Sequence, residues 1–159
     1  MEQAIVSGVT HDTSEAKITV VQVPDRPGIA AKLFRGLADH NVNVDMIVQN
    51  TSHDGATDIS FTVPKSDRVI AEAVTRSVAQ EINAVDVSCD ATIARVSIVG
   101  AGMRTNPGVS ATMFETLSMA GVNIQAISTS TIRLSCVIDA EQVETAVQAL
   151  HTAFGLDAP

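Results

Sequence analysis

The sequence predicts an α+β fold: two ferredoxin-like βαββαβ units in tandem, with antiparallel sheets and helices on one face. Three observations carry that expectation. A segment that begins at Lys17 recurs from Arg95, each copy orders its periodicities as strand, helix, strand, strand, helix, and one apolar strand is left over ahead of the first copy.

The repeat is explicit between the turn and the strand that follows the first helix. Pro27 and Pro107, Gly28 and Gly108, Phe34 and Phe114, Leu37 and Leu117, and Asn43 and Asn123 each stand 80 residues apart. Each copy opens with a β-branched run, Ile18 to Val23 or Ile93 to Val99. A turn follows, with a proline at the predicted first helical position and, in copy two, Asn106 as N-cap. Helical spacing then continues through Ile29, Leu33, Phe34 and Leu37, or Val109, Met113, Phe114 and Leu117. The next strand of copy one alternates, with Val42, Val44, Met46 and Val48 on the core face and Asn43, Asp45, Ile47 and Gln49 on the other. A turn at His53-Asp54-Gly55 leads to a further strand, and second helices are predicted over Ser66–Gln80 and Ala140–Phe154. Copy one finds its last strand in Ala84–Cys89. Copy two runs out of residues for one, so Ala4–Thr10 is expected to return and complete the second sheet. The expected units are residues 15–90, and residues 91–156 together with the strand 3–11.

Composition excludes several function classes. Ten Lys plus Arg against 18 Asp plus Glu give a net charge of −8, which repels phosphate backbones, and without Trp or Tyr few stacking platforms exist. No nucleic acid is expected as partner. No apolar run approaches the roughly 20 residues that cross a bilayer, and the start MEQAIVSGVTHD lacks the basic and apolar regions of a secretory signal. No membrane is expected, and the cytoplasm is the predicted location. Cys89 and Cys136 lie in apolar, strand-like stretches and read as small buried hydrophobes rather than a disulfide.

No catalytic constellation appears. His11, His40, His53 and His151 are dispersed, and the sequence contains no nucleophile elbow, no metal-spaced Cys/His set and no phosphate loop, so neither catalytic residues, metal nor cofactor are predicted. Val99-Gly100-Ala101-Gly102 imitates part of a dinucleotide fingerprint, but its third glycine is missing and a glycine-containing turn explains it.

The turn Pro24-Asp25-Arg26-Pro27-Gly28-Ile29-Ala30 has the makings of a site. The first N–H groups of a helix lack internal partners and face the positive end of the dipole, so they suit a carboxylate, with Gly28 and Ala30 leaving room. Asp25 either holds an ammonium beside it or simply favours the helix start. Asn43, Asp45 and Gln49 face either solvent, a polar interface, or a ligand between paired modules. At the 80-residue offset, Asp25 becomes Thr105, Asp45 becomes Gln125 and Gln49 becomes Thr129, so only copy one keeps its carboxylates.

These segments carry a specific resemblance. The D-x-P-G turn, NVNVDMIVQN, V-x-G-x-G-M with its P-G-V, and GVNIQAISTSTIRLS resemble the C-terminal regulatory region of aspartate kinases, and SGVTHD and ALHTAFGL match it at either end. The resemblance covers nearly the whole chain, and fits a separately made β subunit, an internal start within a longer gene, or a truncated piece. It implies tandem ACT domains and side-by-side pairing of two chains, the first module of one against the second of the other. It also implies a catalytic aspartate kinase chain as partner, as in an α2β2 assembly, or the rest of the same polypeptide. The implied role is feedback inhibition of aspartate phosphorylation, and so of lysine, threonine and methionine biosynthesis. Threonine is the implied effector, contacted by Asp25, Gly28, Ile29, Ala30 and Gln49 of one chain and Asn123 and Ile124 of the other. A neighbouring region that answers lysine in related kinases matches Asn43, Val44, Asp45, Ser110, Ser130 and Thr131. Thr131 replaces an acid of the family's S-T-S-E-I-R-I-S, and Gln125 stands where an acid is common, so lysine is expected to bind weakly or not at all. The alternatives are a generic amino-acid-sensing ACT tandem serving another enzyme, and a structural dimerisation module without a ligand.

Overall fold

In chain order the elements are β1 (Ile5–Asp12), β2 (Glu15–Pro24), α1 (Ile29–Asp39), β3 (Ile47–Gln49), β4 (Ala56–Pro64), α2 (Arg68–Glu81), β5 (Asp86–Asp90), β6 (Ile93–Ala101), α3 (Pro107–Met119), β7 (Ala126–Thr129), β8 (Arg133–Asp139) and α4 (Val143–Ala153). The computed structural model describes residues 5–50, 54–103 and 106–156.

The chain divides into two units, Ser14–Ala91 and a second that joins the N-terminal segment through Thr13 to the chain from Thr92 onward. The first holds a four-stranded sheet ordered β3-β4-β2-β5 and the second a sheet ordered β1-β6-β8-β7. Every pairing is antiparallel, and both orders are those of a βαββαβ unit. The strand missing from copy two is β1, which pairs with β6 from Val6 opposite Gly100 to Asp12 opposite Arg95. Val6 and Val9 pack against the second core.

Period-two alternation builds each sheet's buried face. Ala16, Ile18 and Val20 of β2 and Ile59, Phe61 and Val63 of β4 meet Ile29, Leu33 and Leu37 of α1 and Ala71 and Val78 of α2. In the second unit Ala94, Val96 and Ile98 meet Val109, Met113 and Leu117 of α3 and Ala146 and Leu150 of α4. A Cβ on Gly36 would stand 3.4 Å from both Val74 Cγ1 and Val78 Cγ2, so the glycine lets α1 approach α2 closely. The opposite faces repeat too: Thr19 Oγ1 lies 2.9 Å from Ser60 Oγ, and Ser97 Oγ 2.6 Å from Ser135 Oγ.

The four α-helices among the described residues end alike. A left-handed residue follows the C-cap, Asn41, Asn83, Gly121 or Gly155, and the next N–H reaches back to the helix, as Val42 N does to Leu37 O at 3.0 Å and Val122 N to Leu117 O at 2.9 Å.

The structure corrects several boundaries. Pro27 is not the first residue of α1, because Gly28 takes φ 92°, a left-handed conformation that cannot continue a helix, and the helix starts at Ile29. In copy two the expectation holds, with Pro107 opening α3 and Asn106 Oδ1 accepting from Gly108 N at 3.2 Å. The second helices start later than expected, at Arg68 and Val143, because 3₁₀ turns at Lys65–Asp67 and Ala140–Gln142 take up the residues before them. Residues 42–46 keep the predicted alternation but only Ile47–Gln49 is strand. There Asp45 N and Met46 N both bond to Thr62, through its carbonyl and its hydroxyl, which interrupts the ladder. The last strand of copy one runs Asp86–Asp90 rather than from Ala84, whose N–H closes the end of α2 on Ala79 O at 2.9 Å. The glycine segment after Val99 belongs to an antiparallel strand, not to a parallel βαβ crossover.

Candidate functional site

The β2–α1 turn of the first unit is built from its backbone. Asp25 N donates to Gly55 O at 2.9 Å, tying the turn to the start of β4, where Asp54 and Gly55 are both left-handed. His53, placed in this turn by the sequence, lies outside the described residues. Gly28 then reverses the chain, and the first intrahelical bond runs from Lys32 N to Gly28 O at 3.0 Å. No side chain caps α1, so the N–H groups of Ile29, Ala30 and Ala31 have no partner within the helix and form the positive pole of its dipole. Asp25, Arg26, Pro27, Gly28 and Ala30 are exposed, whereas the Ile29 side chain anchors the turn in the core. A carboxylate donor-nest and an acidic side chain thus stand on one short exposed turn, a pattern that suits a zwitterionic amino acid.

Gln49 belongs to the same end of the sheet. It pairs with Ile59 of β4, whose neighbouring residues Thr57 and Ala56 pair with Val23 and Pro24 of β2. Thr57 Oγ1 donates to Asn50 O at 2.6 Å and fixes the chain just past Gln49. Asn43 and Asp45 are exposed and Val44 half-buried, on the segment leading into β3.

The remaining candidates belong to the second unit. Asn123 and Ile124 line an open cavity of about 370 Å³ with Phe114, Ser118, Gly121 and Val122. Ser110, Ser130 and Thr131 line another of about 390 Å³, together with Asn106, Val109 and Thr129, the counterparts of Arg26, Ile29 and Gln49. Ser130 Oγ accepts from Arg133 N at 3.2 Å, so this wall is a fixed hairpin turn. Gln125 donates from Nε2 to Asp139 Oδ1 at 2.7 Å. Thr105, the counterpart of Asp25, lies outside the described residues. The structure therefore collects Asp25, Gly28, Ile29, Ala30 and Gln49 at one end of the first unit, and Asn123, Ile124, Ser110, Ser130 and Thr131 in the second.

Sequence reasoning missed Asp58. Its Oδ1 accepts from Gln22 N at 2.8 Å, where Gln22 adopts φ 53°. The one signal was the broken alternation of Val20, Val21 and Val23.

Two matches to the ACT-domain family cover the chain, over residues 17–83 and 96–154. An aspartate kinase of Pseudomonas fluorescens (strain SBW25) is 51% identical over all 159 residues, and an aspartokinase of Mycobacterium tuberculosis (strain ATCC 25618 / H37Rv) is 49% identical over 158. The chain spans 38% of the length of each. The ligand-free regulatory subunit of aspartate kinase from Thermus thermophilus superposes with a TM-score of 0.90 at 40% identity, over 94% of this chain and 98% of that one. The chain belongs to the regulatory ACT-domain family of aspartate kinases. A crystal structure of aspartokinase alpha and beta subunits also matches, with a TM-score of 0.89 at 43% identity over 94% of this chain and 99% of that one. The two units are thus two ACT modules, and the phosphotransfer activity of the relatives belongs to the whole enzyme.

Among the described residues of the tandem no cluster of metal ligands occurs, and no helix is long and apolar enough to cross a membrane. Its thiols differ. Burial pushes Cys136 up to about 12, while Cys89 on edge strand β5 is raised by burial first and then by Glu72 and Asp90. Cys136 stays neutral in the fold at a pH where an unfolded thiol ionises, so its contribution is complete below about pH 9 and is lost as pH rises towards 12. The stability difference between the parent ACT tandem and Cys136→Ala should shrink by up to about 1.4 kcal/mol per pH unit above pH 9, read by urea unfolding at stepped pH.

Proposed function

We propose that this ACT tandem is the effector-sensing part of an aspartate kinase, holding L-threonine between the first module of one chain and the second module of another. The observation that carries the reading is the β2–α1 turn, where uncapped helix N–H groups and the Asp25 carboxylate share one exposed loop. The amino acid's carboxylate meets the N–H groups of Ile29 to Ala31, and its ammonium meets Asp25. Gln49 reaches the side chain, and Asn123 and Ile124 of the second chain close the site.

Pairing of chains is supported by the edges. β3 and β7 each end their sheet, and each exposes one isoleucine 80 residues from the other, Ile47 at 54% and Ile127 at 49%. A ligand shared by two chains stabilises the paired state by its differential affinity, and that bias passes to a catalytic chain bound to the pair. Feedback inhibition of aspartate phosphorylation in the cytoplasm follows if the paired state is the less active one.

Lysine is disfavoured. Ser110, Ser130 and Thr131 present hydroxyls where an ammonium-ended side chain needs a carboxylate, and Gln125 is already bonded to Asp139. The test is calorimetric titration of the purified chain with threonine, lysine, methionine and isoleucine, with its solution mass measured at each end point. Threonine alone should bind and drive the mass to a dimer. A micromolar lysine isotherm, or no binding of any of the four, would sink the proposal; the second result leaves a structural partner.

A further inference from the structure

Two residues of β2, Val21 and Gln22, stand opposite the single residue Asp58 of β4, because the pairing runs Val20 to Ile59 on one side and Val23 to Thr57 on the other. This bulge changes which residues face the helices: Ala16, Ile18 and Val20 are fully buried before it, and Val23 after it. Without the extra residue, Gln22 would point into the core and everything C-terminal to it would be turned by one register position, including Asp25 three residues on. Gln22 has to adopt φ 53° to make the bulge, a conformation that a side chain disfavours. Its N–H donates to Asp58 Oδ1 at 2.8 Å, a charge-assisted bond that holds this conformation. On the other side of β2, Val85 N donates to Val21 O at 3.0 Å, so the bulge is fixed from both neighbours.

The first strand of the second module does without this device; the bulge of that sheet lies in β1, where Val6 pairs with Gly100 and Gly8 with Val99. Ser97 and Ser135 correspond to Thr19 and Ser60, so Arg133 stands where Asp58 stands, and β6 pairs with β8 without a break from Ile93 to Val99. The first-strand bulge held by an acid and Asp25 occur together, in the module whose turn is read above as the threonine site. We propose that Asp58 is a positioning residue for that turn: it acts through Gln22 to set the register from which Asp25 and the first N–H groups of α1 meet the ligand. The inference rests on the threonine reading and deepens it.

The experiment uses the full chain and four variants: Asp58→Ala, Asp58→Asn, Gln22→Gly, and Asp58→Ala with Gln22→Gly. Threonine affinity is read by calorimetry, and the backbone amide resonances of residues 25–31 are read without ligand. Asp58→Ala should weaken threonine about tenfold, the scale of one charge-assisted bond, and move those resonances. Asp58→Asn keeps the acceptor oxygen and should stay close to the parent. Gln22→Gly on the Asp58→Ala background should recover most of the affinity, because glycine takes the left-handed conformation unaided. The proposal is overturned if Asp58→Ala binds like the parent or leaves the resonances unmoved. It is equally overturned if Asp58→Asn is as weak as the alanine variant, or if the double variant recovers nothing. A parent chain that does not bind threonine is a different failure, that of the threonine reading itself, and the resonances still report whether Asp58 holds the turn.

Discussion

Asp25→Ala should abolish threonine binding by the purified chain, weakening it about a hundredfold or more, with its unfolding midpoint unchanged. The magnitude follows from leaving an ammonium without its carboxylate partner in the site that a second chain closes in the proposal above, a loss in the upper part of roughly 2–5 kcal/mol. The silence in stability follows from the fold. Asp25 is exposed, and what ties it to the structure is its backbone N–H on Gly55 O, a bond that any residue except proline keeps. The second module offers no replacement, since Thr105 stands at the equivalent position. Titration calorimetry of the variant, beside a thermal scan, checks both halves; a variant that still binds at parental affinity places the ammonium elsewhere.

Phe61→Ala should destabilise the first module by about 3–5 kcal/mol. Phe61 is fully buried at the centre of the sheet, and its ring meets Phe34 of α1 edge-on, at 5.5 Å between centroids and 75° between planes. Such a contact adds roughly 0.5–1.5 kcal/mol to what burial alone contributes. The second module shows why the effect is local. There Cys136 pairs with Val96 as Phe61 pairs with Ile18, so a thiol takes the place of the ring in the core against which Phe114 packs. Urea unfolding followed by amide resonances from each module checks it: those of the first should lose their midpoint by far the more. Equal losses in both modules would contradict the picture of two separate cores.

The repeat made most of this fold legible before any coordinates. Constant spacing of Pro27 and Pro107, Phe34 and Phe114, and Leu37 and Leu117 identified two equal units, and counting strands predicted the return of the N-terminal strand to the second sheet, where it pairs with β6. What stayed hidden has physical causes. The start of α1 depends on the sign of one dihedral angle at Gly28, which Pro27 masked with a stronger helix-start signal. The shortness of β3 depends on Thr62 taking two amide donors, and the bulge at Gln22 depends on Asp58, 36 residues further along the chain. Periodicity reads neighbours along the chain, and these are contacts across strands. The site divided in the same way. Asp25 and the turn ahead of α1 were readable as local chemistry, whereas the candidate residues Asn123 and Ile124 came from comparing the two copies and from the family resemblance.

The most direct test is a crystal structure of the chain grown with L-threonine. Density for the amino acid is expected on the β2–α1 turn, its carboxylate on the N–H groups of Ile29 to Ala31 and its ammonium within hydrogen-bond reach of Asp25, with Asn123 and Ile124 of a second chain against it. Threonine found instead in the cavity beside Ser110 and Thr129, with the Asp25 turn empty, would contradict it.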